Sequence, residues 1–212
     1  MSDECTKIHE LTKILKKHSF PFGDSNIPPN GIYFLFQRDE IAHNQERIVR
    51  VGTHNGNNRL YLRLKEHFLK ENKDRSIFRK NIGRCLLNKN NDPFLEFWEK
   101  DLTSKQARDK YLPVIDRDYQ HKIELEVSTF IKDNFSFAVI EVQEKKDRLA
   151  TEAKLISTIS LCTECFPSNN WLGMYAPSRQ HTITESGLWQ TKHVFKTHSD
   201  SLDLELLLSA NK

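Results

Sequence analysis

Two short β-branched and aromatic runs, "GIYFLF" at 31–36 and "RIVRVG" at 47–52, are followed within eight residues by the basic amphipathic stretch "RLYLRLKEHF" at 59–68. That order limits the fold more than anything else in the chain. Strands are expected over 32–36 and 48–51, with the polar "QRDEIAHNQE" between them as a hairpin loop. In the helix that follows, Leu60, Leu64 and Phe68 recur at i, i+4 and i+8 and must face a core, while Arg63 and His67 sit one above the other at the border of that stripe. Gly52 and the Asn-rich "THNGNN" make the turn between them, with Asn57 or Asn58 as the expected N-cap.

The remaining elements read in the same way. An N-terminal helix over 4–18 ends before the breaker "FPFGDSNIPPNG". A second basic helix spans 76–87, two helical segments in 92–131 flank the breaker "YLPVID", the run at 135–142 is the best strand, and "KKDRLATEAKLISTISL" is a helix. The sum is an α+β fold with a small, mainly antiparallel β-sheet flanked by helices. We divide the single domain 1–212 into an N-terminal helix and loop (1–30), a core (31–91 and 132–175), a helical insertion (92–131) and a C-terminal extension (176–212). Phe94, Phe97 and Trp98 in the insertion are expected to form one buried face.

In the helix at the end of the core, Leu149, Glu152, Ile156 and Ile159 share one face, so Glu152 stands in an otherwise apolar stripe. A carboxylate there needs an arginine, a hydrogen-bond network or a metal ion, unless it reaches solvent at the edge or pairs with a lysine.

Charge is unevenly placed. From Arg59 to Lys89 there are ten basic and three acidic residues, against a net charge of +3 for the whole chain. Such a run is either a solvated helical face or a surface for a polyanion; on the second reading Arg59, Lys65, Arg79, Lys80 and Arg84 are the nucleic-acid-binding candidates. Trp189, Lys192, His193 and Lys196 near the C-terminus either extend that footprint or pack on the core. With mean hydropathy -0.64, no run long enough to span a membrane and no apolar leader, a cytoplasmic protein without membrane partners is expected. Cys162 and Cys165 form a C-x-x-C, but Cys5 and Cys85 are isolated. Lacking a second ligand pair at comparable spacing, the C-x-x-C is expected to be two reduced thiols at a helix end rather than a zinc site. The acidic and apolar "DSLDLELLLSA" near the C-terminus is unlike a DNA-binding tail, and a homodimer helix is one reading of it.

The sequence resembles the GIY-YIG endonuclease family. Gly31-Ile32-Tyr33 matches the first signature, Arg50-Val51-Gly52 stands where Tyr-Ile-Gly is usual, Arg63 and His67 match the Arg-x-x-x-His helix, and Glu152 in "ATEAKLI" matches the metal-binding glutamate. "PSNNWLG" falls where the family often has an asparagine closing the site, so Asn169 or Asn170 is the candidate, Asn170 being preferred. Arg50 departs from the signature tyrosine; some restriction enzymes similar to this family carry a lysine there. The resemblance implies a Mg2+-dependent endonuclease, with Mn2+ as a substitute, that hydrolyses DNA and leaves a 5′ phosphate. The compact chain fits a restriction or genome-defence type, and a non-catalytic nucleic-acid-binding module on the same fold is the alternative. Arg63 would contact the phosphate and Glu152 would hold the metal ion. Tyr33 would act in proton transfer, with the cations Arg50, expected beside it across the hairpin, and Arg63 near it to favour phenolate, and His67 in support.

Overall fold

The computed structural model describes residues 2–197. Four strands form one antiparallel sheet in the order β1-β4-β2-β3, with β1 at Lys17–Ser19, β2 at Gly31–Ala42, β3 at Gln45–Gly52 and β4 at Phe135–Glu141. The α+β expectation holds. Alternate side chains divide β2 between two cores. Tyr33 and Leu35 face α2 (Leu60–Phe68), α3 (Ile77–Lys89) and α6 (Arg117–Asn134), whereas Ile32, Phe34 and Phe36 face α1 (Ser2–Ile14) and α7 (Lys145–Ser160).

The expected hairpin loop is strand instead. β2 and β3 continue through it to a two-residue turn at His43 and Asn44, whose φ values of 50° and 58° suit the primed hairpin turn that matches strand twist. Polar residues persist in these strands because Glu40 is paired with Arg47, both buried. The irregular register between Phe36 and Ile41, with Asp39 at φ 65°, absorbs the misfit. The N-terminal helix stops at Ile14, and β1, which sequence reasoning missed, is only three residues long and partly exposed.

Two glycines set how closely the layers approach. A Cβ on Gly31 would lie 2.2 Å from the Ile140 carbonyl oxygen, and one on Gly52 would lie 2.2 Å from the Tyr33 hydroxyl. The first lets β2 meet β4; the second lets the Tyr33 ring cross β3.

The segment 92–131 belongs to the core. Besides α6 it contributes α4 (Leu95–Trp98) and α5 (Lys105–Tyr111), and Trp98 is fully buried with its indole N–H donating to the Lys80 carbonyl at 3.0 Å. Gly83 makes room for that indole. Acidic residues of the same segment receive the basic run of α3. Arg79, with no exposed surface, pairs with Glu124 at 2.8 Å and also donates to Ser128. Arg84 grips both Glu99 oxygens at 2.6 Å, and Lys80 reaches the Glu99 carbonyl and Asp74. Three of the five nucleic-acid-binding candidates, Arg79, Lys80 and Arg84, are thereby corrected to internal ion-pair residues. Their charge excess exists only along the chain, because the neutralising carboxylates arrive from up to 45 residues away.

After α7 the chain crosses to the free edge of β3. Trp189 N–H donates to the Val49 carbonyl at 2.7 Å, Val51 N–H donates to the Gln190 side-chain oxygen at 3.2 Å, and the indoles of Trp171 and Trp189 both donate to Gln37. Covering this edge removes a template for strand pairing. The "DSLDLELLLSA" segment, and with it the dimer helix, lies outside the described residues.

Candidate active site

The end of β3, the N-terminal half of α2, the start of α3, one face of α7 and residues 190–193 enclose a cleft of about 800 Å³. Arg50, Arg63 and Glu152 line it together, so the structure brings these three sequence candidates into one place. Arg59, Arg75 and Lys192 add positive charge at its walls. Lys65, by contrast, is turned from the cleft and lies over the Tyr61 ring.

Glu152 reaches the cleft because α7 packs against β3 through Ile156 and Ile159, which are buried, while Leu149 stays partly exposed at the rim. Its Oε1 accepts the Thr53 amide N–H at 3.0 Å. Burial pushes its carboxyl above the ordinary range, and Arg50, the Thr53 amide, Lys192 and Arg63 oppose that rise.

The loop feeding α2 is clamped rather than capped. Asn58 at φ 55° exchanges two hydrogen bonds with Asn30, and Thr53 Oγ1 donates to the Gly31 carbonyl at 2.7 Å. Arg59, with no side-chain cap bond, occupies the N-cap expected for Asn57 or Asn58. Held this way, α2 presents Arg63 to the cleft, where Nη1 donates to Glu66 and to the Arg75 carbonyl, each at 2.9 Å. Burial lowers the Arg63 guanidinium, but the neighbouring Tyr33 oxygen and Glu66 carboxylate outweigh it, and the net shift is upward.

One turn further along α2, His67 is fully buried between Tyr33 and Ser76. Its Nε2 is 2.7 Å from the Tyr33 hydroxyl and its Nδ1 is 2.7 Å from Ser76 Oγ, which also accepts the Arg79 amide as N-cap of α3. Burial, then Arg63, Arg50 and Arg79, hold His67 well below the ordinary histidine range, so the ring is neutral. Tyr33 itself has no exposed surface. It is not among the residues that line the cleft, but its oxygen is near enough to Arg63 to raise that guanidinium.

Two expected placements change. Arg63 acts on Tyr33 as expected, whereas Arg50 stands opposite Leu35 in the hairpin register, donates from Nη1 to the Trp189 carbonyl at 2.6 Å and acts on Glu152 and His67. Asn170 is exposed in the turn before Trp171 and is not among the residues lining the cleft. A cleft amide comes instead from Gln190, whose buried Nε2 has no partner among the described residues. His54, another residue that sequence reasoning missed, accepts the Gly31 amide at its Nε2 and is lowered to about 4 by burial and by Arg148. Neither residue carries a local signal; Gln190 lies in a loop, and His54 within the "THNGNN" turn.

A family model described as the GIY-YIG domain matches residues 6–210. The chain belongs to the GIY-YIG family. This is a nuclease family, and in this GIY-YIG domain the signature residues Gly31 and Gly52 do the steric work described above. No curated protein and no solved structure matches the chain significantly. Among the described residues no helix is long and apolar enough to cross a membrane.

Proposed function

We propose that this GIY-YIG domain is a Mg2+-dependent endonuclease that hydrolyses phosphodiester bonds in DNA, in a cytoplasmic restriction or genome-defence role. The observation that supports the reading best is the convergence of Arg63, Arg50 and Glu152 on one cationic cleft, with Arg63 acting on both members of the buried Tyr33–His67 pair. Of the three carboxylates that line the cleft, Glu66 is paired with Arg63 and Asp74 with Lys73, which leaves Glu152, and a single carboxylate suits Mg2+, which keeps several waters and binds through one or two carboxylates plus phosphate oxygens; Mn2+ accepts the same ligands. Glu152 would hold it, the Thr53 amide fixing one carboxylate oxygen and leaving the other to the cleft. When bound, the ion supplies charge neutralisation at the scissile phosphate.

The chain's own residues do the rest. Arg63 offers a planar, permanently charged fork to the non-bridging oxygens. Tyr33 is the residue placed to take the proton of the attacking water, acting as its phenolate and ending as the neutral phenol. Neutral His67, anchored by Ser76, holds the tyrosine through a hydrogen bond; burial and three arginines make it a poor proton acceptor itself. Arg50 balances Glu152, and Arg59, Arg75 and Lys192 are placed to meet the DNA backbone.

A plasmid-nicking assay with Mg2+ and with chelator tests the reading. Metal-dependent nicking supports it, and binding without cleavage in any divalent ion leaves the non-catalytic nucleic-acid-binding module.

A further inference from the structure

At the end of the sheet away from the cleft, three segments distant in sequence bring cysteine and histidine side chains together. Cys5 comes from α1, His43 from the β2–β3 turn, and Cys162 and Cys165 from the loop after α7. Cys5 Sγ is 3.5 Å from Cys165 Sγ, and His43 Nε2 is 3.4 Å from both Cys162 Sγ and Cys165 Sγ. The Cys162 thiol also interacts with those of Cys5 and Cys165. We propose that Cys5, His43, Cys162 and Cys165 bind one structural Zn2+ ion.

The distances fit. Zinc bonds of about 2.3 Å to sulfur and about 2.0 Å to nitrogen in a tetrahedron put two sulfurs about 3.8 Å apart and sulfur and nitrogen about 3.5 Å apart. Atoms this close leave room between them for a single ion and nothing larger. The sulfur separation is also far beyond the roughly 2.05 Å of a disulfide, so the thiols are free.

His43 is oriented as a ligand. Its other ring nitrogen, Nδ1, lies 3.1 Å from Thr6 Oγ1 and 3.6 Å from a Glu164 carboxylate oxygen. A carboxylate and a hydroxyl on Nδ1 select the tautomer with its lone pair on Nε2, toward the sulfurs, as is usual behind metal-bound histidines. The positive φ of His43 serves the same end, since the tight turn throws this side chain back over the sheet edge.

His9 is the fifth member of the group, its ring atoms lying with those of Cys5, His43 and Cys165 inside 4.8 Å. Its Nδ1 is 3.0 Å from the Cys5 carbonyl, while Nε2 is 4.0 Å from Cys165 Sγ and 3.5 Å from the Ile48 amide. Both nitrogens have backbone partners, and His9 braces Cys5 from outside the ligand set. Four protein ligands close the coordination sphere, which makes the site structural rather than catalytic. Its effect is to tie α1 and the loop after α7 to the hairpin tip.

The test is metal content, which does not depend on nuclease activity. The full chain purified under reducing conditions is expected to carry about one zinc per chain, and Co2+ exchanged into it should show the visible bands of a tetrahedral ion with thiolate charge transfer. Cys162→Ser with Cys165→Ser, and separately His43→Ala, should lose the metal. Cys85→Ser, in the other core, and His9→Ala should keep it. Glu164→Ala should weaken zinc binding by about 10- to 100-fold. Should the ligand variants not fold, the cobalt spectrum of the wild-type chain decides. Folded protein that takes up neither Zn2+ nor Co2+, a Cys5–Cys165 disulfide, or full zinc in the His43→Ala variant would each overturn the proposal.

Discussion

The Tyr33 hydroxyl stands 2.7 Å from His67 Nε2, and the same imidazole stands 2.7 Å from Ser76 on its other side. A residue of β2 is thus locked, through α2, to the cap of α3. Tyr33→Phe removes the oxygen and nothing else, and should leave the nuclease nearly inactive with its fold and DNA affinity intact. A Tyr33→Phe enzyme that keeps most of its activity would show that this tyrosine is a strand residue with no part in proton transfer.

Glu152→Gln keeps the shape and the Thr53 contact but not the charge. Cleavage should vanish while DNA binding, measured in Ca2+, survives. Because burial raises this carboxyl, its protonation competes with metal at higher pH than for an ordinary glutamate near pH ~4.3. Metal affinity should therefore be full above the raised value and fall as the pH drops through it, which titration calorimetry against Mg2+ at several pH values would detect. Wild-type turnover by Glu152→Gln would sink the metal assignment.

For Arg63→Ala, the rate at saturating DNA should drop far more than affinity. Contacts made only in the transition state appear in kcat, whereas contacts equally strong in the bound state appear in KM. If KM rose and kcat held, Arg63 would be one cleft cation among several.

Arg79 gives the opposite expectation. Its guanidinium is buried against Glu124 and Ser128, so Arg79→Met strands a buried carboxylate and should cost about 3–5 kcal/mol of stability. The salt dependence of DNA binding by whatever protein remains folded should be unchanged, since no phosphate contact is lost. A lower salt slope with normal stability would return Arg79 to the DNA interface.

Gln190→Leu tests the amide that lines the cleft. Its oxygen holds the Val51 amide and its Nε2 has no protein partner among the described residues, so loss of the amide should reduce cleavage while the Asn170→Ala variant stays near wild type. Equal effects of the two would mean that Gln190 serves only to seal the edge of β3.

What the sequence by itself determined lies within short windows. Alternation in "GIYFLF", the two glycines, the i, i+4, i+8 stripe of α2 and the placing of Glu152 on α7 all follow from backbone periods of two and 3.6 residues. The same local logic made Arg63 and His67 neighbours. Tertiary structure alone decided what depends on segments meeting. Polar 37–42 and 45–46 became strand because Glu40 and Arg47 neutralise each other across the hairpin. The α3 cations turned inward because Glu99 and Glu124 wait there, and Gln190 rather than Asn170 lines the cleft because two indoles dock the chain on Gln37. Cys5 and His43 joined the C-x-x-C only when α1 and the hairpin tip packed on the loop after α7. Periodicity records which face a residue occupies; burial, paid for by partners from elsewhere in the chain, settles what it touches.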